Sequence, residues 1–105
     1  MDEELFVIEG PRKAREGESI TYSVTWTNAT TLASNTTKNY LNGTLSTAVL
    51  SGSEAVSGNV QTLRTITIPT GWGGKTCVLE AWCTVDGNVL SIGIPIKILK
   101  AGAER

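Results

Sequence analysis

The sequence predicts one small all-β domain, a sandwich of two antiparallel sheets built from about seven strands. Three observations predict it. Fifteen Thr, eight Ser and eleven Gly among 105 residues favour short strands and tight turns over helices. In several stretches apolar and polar residues alternate at a period of two, which sends one face of each strand into a core and the other into water. Turn signals rich in Gly, Pro and Asn recur roughly every ten residues, the spacing of a sandwich and not of a helical fold.

Taken in order, Leu5 to Ile8 is a short apolar run closed by Gly10 and Pro11, and reads as an edge strand. The Arg15-Glu16-Gly17-Glu18 turn leads into the clearest strand, Ser19 to Thr27. There Ile20, Tyr22, Val24 and Trp26 form a core face, while Ser19, Thr21, Ser23, Thr25 and Thr27 face water. Thr36 to Leu41 is a weaker strand. Asn42 and Gly43 after it both tolerate positive φ, so a hairpin should return through Leu45, Thr47 and Val49. Gly52 and Gly58 bracket a polar loop around Ser53 and Glu54.

Val60 to Ile68 forms the next strand, with Val60, Ile66 and Ile68 sharing a face; Leu63 breaks the parity and calls for a bulge or an edge position. Pro69 and Gly71-Trp72-Gly73-Gly74 end it. Lys75 to Val85 then sets Cys77, Leu79, Ala81, Cys83 and Val85 on one face, against Val78, Glu80, Trp82 and Thr84 on the other. Asp86-Gly87 is a second hairpin signal, and the returning strand carries Leu90, Ile92, Ile94, Ile96 and Ile98 on its core face. No repeat or low-complexity tract divides the chain, so residues 1–105 read as a single domain with fraying tails at 1–4 and 101–105.

The charges exclude some partners. Nine basic and ten acidic residues give a net charge of -1, too little field to attract nucleic acid or an anionic membrane. The basic knot at Arg12, Lys13 and Arg15 reads as a solvated loop. No apolar run approaches the roughly 20 residues that span a bilayer, so membrane insertion is not expected. The opening MDEELFVIEGP lacks the basic and apolar regions of a secretory signal, and synthesis in the cytoplasm is expected.

Histidine is absent, which removes the usual general base of hydrolases and the commonest metal ligand. Neither catalysis, a cofactor nor a metal site is expected. Cys77 and Cys83 lie six apart in one strand, about 20 Å at 3.3 Å per residue, beyond disulfide reach. They read as free, buried thiols. Trp26 reads as core. Trp72, alone in a Gly-rich loop, is either an exposed contact anchor or a lid over the core, and Trp82 is either half covered or part of an interaction surface; of the two, Trp72 is taken as the contact anchor and Trp82 as its alternative. Asn28, Asn35 and Asn42 each begin an Asn-x-Thr triplet, a weak signal in a chain this rich in Ser and Thr.

The stretch from Glu16 to Val85, with Tyr22-Ser23-Val24-Thr25-Trp26, the Tyr40-Leu41-Asn42-Gly43 turn and the adjoining Thr84-Val85-Asp86-Gly87-Asn88 hairpin, resembles small immunoglobulin-like proteins of tailed bacteriophages and prophages. The likeness covers about two-thirds of the chain. It implies an immunoglobulin-like or fibronectin-like sandwich that decorates a capsid or tail. Its partners would be other virion proteins or further copies of itself, and its place the virion, after synthesis in the host cytoplasm. The chain departs from antibody-type domains, because Cys77 and Cys83 cannot bridge two sheets. A reading from another class is an extracellular adhesion or carbohydrate-binding module cut from a longer chain, with the Trp72 loop stacked on a sugar. Fold alone decides between neither.

Overall fold

A computed structural model of the chain describes residues 6–102, and these form strands and turns with no helix. The strands are β1 (Phe6–Glu9), β2 (Lys13–Arg15), β3 (Ser19–Ile20), β4 (Ser23–Trp26), β5 (Leu32–Leu41) and β6 (Thr44–Leu45). They continue as β7 (Leu50–Ser51), β8 (Ala55–Ser57), β9 (Val60–Thr62), β10 (Thr65–Thr67), β11 (Thr76–Val85) and β12 (Asn88–Leu99). Leu5 and the tail residues 1–4 and 103–105 lie outside the described residues.

A five-stranded sheet runs β2-β12-β11-β5-β6, a four-stranded sheet β1-β4-β9-β8 and a three-stranded sheet β3-β10-β7. All pairs are antiparallel except β2 against β12. The two smaller sheets join as one layer. β3 and β4 are a single strand interrupted at Thr21 and Tyr22, β9 and β10 a single strand interrupted at Leu63 and Arg64, and the Leu63 amide donates to the Tyr22 carbonyl at 2.9 Å across the break. Buried residues from this layer and from the five-stranded sheet meet in one hydrophobic cluster, an arrangement compatible with a β-sandwich.

The interruption has a cause in register. Ser23 opposes Thr62 while Ile20 opposes Ile66, so β9–β10 carries one residue more than β3–β4 in between. That bulge lets Gln61 and Leu63 face inward on one side of it and Ile66 and Ile68 on the other. On the far side Thr62 opposes Ala55 and Thr65 opposes Ser51, so there the extra residue belongs to β7–β8. Arg64 sits at both irregularities and satisfies the backbone they expose. Its guanidinium donates to the carbonyls of Gly52 and Leu50, each at 3.1 Å, and its own amide donates to Thr37 Oγ1 of β5 at 3.1 Å.

The other end of the layer is fixed by Tyr22. The chain leaves β1 for the five-stranded sheet at Gly10 and Pro11, and the buried Tyr22 hydroxyl donates to the Pro11 carbonyl there. The ring lies so close to Gly10 that a Cβ would stand 2.2 Å from it. Only glycine fits. The two hairpin turns are as the sequence predicts, with positive φ at Asn42 (52°), Gly43 (81°), Asp86 (49°) and Gly87 (89°). Asp86 does more than turn, since its carboxylate accepts the amides of Thr30 and Thr31 at 2.9 and 2.7 Å and anchors the β4–β5 loop.

Several expectations are corrected. The strand segments outnumber seven, partly because bulges split the long strands. Leu90 is not core: it is 37% exposed, on a stretch of β12 whose outer side has no partner because β2 pairs only with Lys97–Leu99. Ile20 and Ile92 are half-buried against the core, while Tyr22, Val24, Trp26, Cys77, Leu79, Ala81, Cys83, Ile94 and Ile96 are buried as expected. Val60 does not face the core; the bulge gives that place to Gln61. The strand expected to return through Leu45, Thr47 and Val49 stops at Leu45, because the chain turns toward the opposite layer, with the Leu50 amide donating to the Thr47 carbonyl. The loop around Ser53 and Glu54 is followed by a short strand, β8, and the basic knot contains another, β2, with Ala14 fully buried.

Cys77 and Cys83 are free and buried on the inner face of β11. Burial pushes the Cys77 thiol from its ordinary 9.0 up to about 11, against a smaller opposing backbone hydrogen bond, and pushes Cys83 up as well. The unfolded chain therefore releases its thiol protons first, and stability should fall as pH rises from 9.0 toward about 11. Urea titrations across that window should show the fall, and Cys77→Val should lessen it, leaving the part due to Cys83. A parent protein whose stability is level over the window would refute the burial of these thiols.

Candidate interaction surface

Trp72 is half-buried and packs against the core cluster. The loop that carries it is held by Glu16, whose Oε2 accepts the amides of Gly71 at 2.9 Å and Gly73 at 2.8 Å. Two further bonds close the loop, from the Lys75 amide to the Trp72 carbonyl at 3.0 Å and from the Gly74 amide to the Ile98 carbonyl at 2.7 Å. Of its two sequence readings, the indole fits the lid. A cleft of about 270 Å³ beside this loop is lined by Arg15, Glu16, Leu99, Ala101 and Gly102, but its carboxylate already serves the loop amides.

Trp82 takes the opposite orientation. It lies on the outer face of the five-stranded sheet, half-buried, with Nε1 donating to Glu80 Oε1 at 2.9 Å and the Lys38 ammonium 4.8 Å from the ring centroid. A cation over an indole contributes about 0.5–1 kcal/mol at a partly exposed site, and here it holds the ring in place together with the Glu80 bond. Register gives the rest of this face. Leu45, Tyr40, Val78 and Pro95 form an apolar row across four strands; Lys38, Glu80 and Gly93 form the next row; Thr36, Trp82 and Ser91 the one beyond. Leu45 and Val89 are 54% and 69% exposed, so apolar area continues to the margins.

The outer face of the other layer differs in chemistry. Its hydroxyls pair among themselves, Ser19 Oγ with Thr67 Oγ1 at 2.9 Å and Thr21 Oγ1 with Thr65 Oγ1 at 2.7 Å. Toward β1 the same face carries Val7, 45% exposed, in a row with Thr25 and Val60, and no aromatic stands among them. The face around Trp82 is therefore the candidate contact surface, because it combines a fixed aromatic with apolar neighbours on a rigid support.

The remaining sequence candidates are dispersed. Asn28 and Asn42 are exposed at positive φ, whereas Asn35 is half-buried at the β5 bulge, and its Oδ1 has no partner among the described residues. No group of three or more Cys, Asp or Glu side chains that could hold a metal occurs among the described residues. Sequence reading missed the buried polar residues Gln61, Asn39 and Thr37, for which Ser, Thr and Asn abundance gives no signal.

The lid assignment predicts that Trp72→Ala lowers stability by roughly 1–3 kcal/mol, as loss of a half-buried aromatic should. Glu16→Ala should cost roughly 1–2 kcal/mol by leaving two amides without their acceptor. Urea unfolding measures both, and an unchanged midpoint for Trp72→Ala would return that indole to the surface. Comparison of the chain with protein-family models, with curated proteins and with solved structures found no match in any of the three.

Proposed function

We propose that this chain is an immunoglobulin-like, non-catalytic structural protein of a virion, which decorates a bacteriophage capsid or tail through the open face of its five-stranded sheet. The observation that carries the contact role is Trp82, pinned by Glu80 and Lys38 on the outer, partly apolar face of the five-stranded sheet. Connectivity supports the immunoglobulin-like part. One layer places β1, β3–β4, β9–β10 and β7–β8 in the order A-B-E-D, and the other places β12, β11 and β5 in the order G-F-C with a short C′ at β6. The first strand is shared, since β1 and β2 lie in different sheets. The virion part is supported by the sequence resemblance.

A sugar-stacking role leans on Trp72, whose indole packs against the core. Protein contact suits the other face better, because Trp buries a large area with few rotatable bonds. Co-sedimentation with purified capsids and tails of tailed phages tests the reading. Binding should change little with salt, given the net charge of -1. Trp82→Ala should keep its β-rich circular dichroism and lose about 2 kcal/mol of binding, roughly 30-fold. Full-strength binding by the folded Trp82→Ala protein, or no binding to any particle, would overturn the proposal.

A further inference from the structure

We infer that the Trp82 face is self-complementary and pairs with the same face of a second copy of this chain. The inference rests on the reading of that face as a contact surface and names its occupant. Three consecutive outward-facing pairs lie along the β5–β11 seam: Tyr40 beside Val78, Lys38 beside Glu80, and Thr36 beside Trp82. Each pair joins a large side chain to a small one or a cation to an anion. A two-fold axis parallel to the strands, lying above this seam, exchanges the two members of every pair. It therefore sets Tyr40 of one copy over Val78 of the other, Trp82 over Thr36, and Lys38 over Glu80, twice each.

The neighbours permit the approach. Next to the seam on β12, Gly93 and Ser91 are exposed and stand low beside Glu80 and Trp82, so the partner's Lys38 and Thr36 meet no obstruction from that strand. Two sheets stack face to face at about 10 Å with strands nearly aligned, which is the geometry this axis generates. The charge pattern gives direction to the fit. A copy displaced sideways by one strand would lose both Lys38–Glu80 contacts, and like charges brought together cost several kcal/mol in specificity.

The face has modest size. About 20 Å across the strands and about 20 Å along them gives roughly 800 Å² for both copies together, below the roughly 1,200 Å² of standard specific interfaces and in the range of weak, transient contacts. The dimer is accordingly weak, with Kd in roughly the 10–500 µM range. Dimer and particle contact use the same face and exclude each other, so a dimer this weak leaves the face free for a particle that binds it more tightly.

Sedimentation equilibrium of the purified chain from about 10 µM to 1 mM tests this without any particle. The parent should show a reversible monomer–dimer equilibrium. Lys38→Glu and Glu80→Lys, each alone, should weaken it by about tenfold or more, since each sets like charges across the axis. An equimolar mixture of the two variants should regain the dimer, because each interchain contact is again between opposite charges. Within each chain of that mixture the like-charged neighbours remain, so the rescue cannot come from repair of the fold. Circular dichroism and urea midpoints of the variants confirm that they are folded; if either is not, Thr36→Arg, which obstructs the partner's Trp82, should abolish the dimer in its place. A parent that stays monomeric at 1 mM, or a mixture no better than its components, overturns the inference. A monomer that still sediments with phage particles through Trp82 would do so while leaving the contact role intact, and a dimer that binds no particle would do the reverse.

Discussion

The two layers of this domain are tied at their centre by one buried amide. Gln61, fully buried on β9, accepts from Trp26 Nε1 at 3.0 Å within its own layer and donates from Nε2 to the Trp82 carbonyl at 2.9 Å in the other. A buried primary amide left unpaired costs about 1–3 kcal/mol for each group that loses its water. Paired at both ends, the same group stabilises only one spacing and one register of the sheets. The apolar residues of the core cluster, Val24, Leu79 and Ile94 among them, supply the larger driving force but no such directional demand.

The bridge also connects the core to the surface. The residue that accepts from Gln61 is Trp82, whose carbonyl is used inside and whose indole stands outside. Just beyond it the β5–β11 pairing shifts register between Trp82 and Thr84, with Ser34 at a φ of 50° on the opposing strand. The backbone at Trp82 is thus fixed by a hydrogen bond from the opposite layer at the place where its own sheet becomes irregular. Glu80 and Lys38 fix the side chain in turn. Preorganisation of this kind lowers the entropy lost on binding, which matters for a face of limited area.

Much of the fold was legible because its longest strands carry their own pattern. The alternation in Tyr22 to Trp26 and in Cys77 to Val85, and the Asn-Gly and Asp-Gly turns, are local signals that the structure repeats residue for residue. Leu63 breaks parity and calls for a bulge or an edge position; the structure has the bulge, with Gln61 and not Val60 in the inward place. What escaped depends on partners distant in sequence. β2 is three residues long and lies beside β12, more than eighty positions away, so Lys13-Ala14-Arg15 carries no local mark of a strand. The burial of Gln61 is likewise invisible without Trp26 and the Trp82 carbonyl. At the candidate site, the outward parity of Trp82 could be read from the sequence, but its partners Lys38 and Glu80 required the β5–β11 register. The sequence leaves Trp72 between two roles because its restraint comes from Glu16, 55 and 57 residues away from the amides it holds.

A double-mutant cycle on Gln61 and Trp26, followed by urea unfolding, tests the bridge most directly. Gln61→Leu leaves the Trp26 indole and the Trp82 carbonyl without a partner, and Trp26→Phe leaves the Gln61 carbonyl oxygen without one; each should cost roughly 2–4 kcal/mol. The double variant should be less destabilised than the sum of the two by about 1 kcal/mol or more, since the indole and the amide no longer orphan each other. Additivity within about 0.3–0.5 kcal/mol would mean that the two side chains act independently, and that apolar packing alone sets the spacing of the sheets.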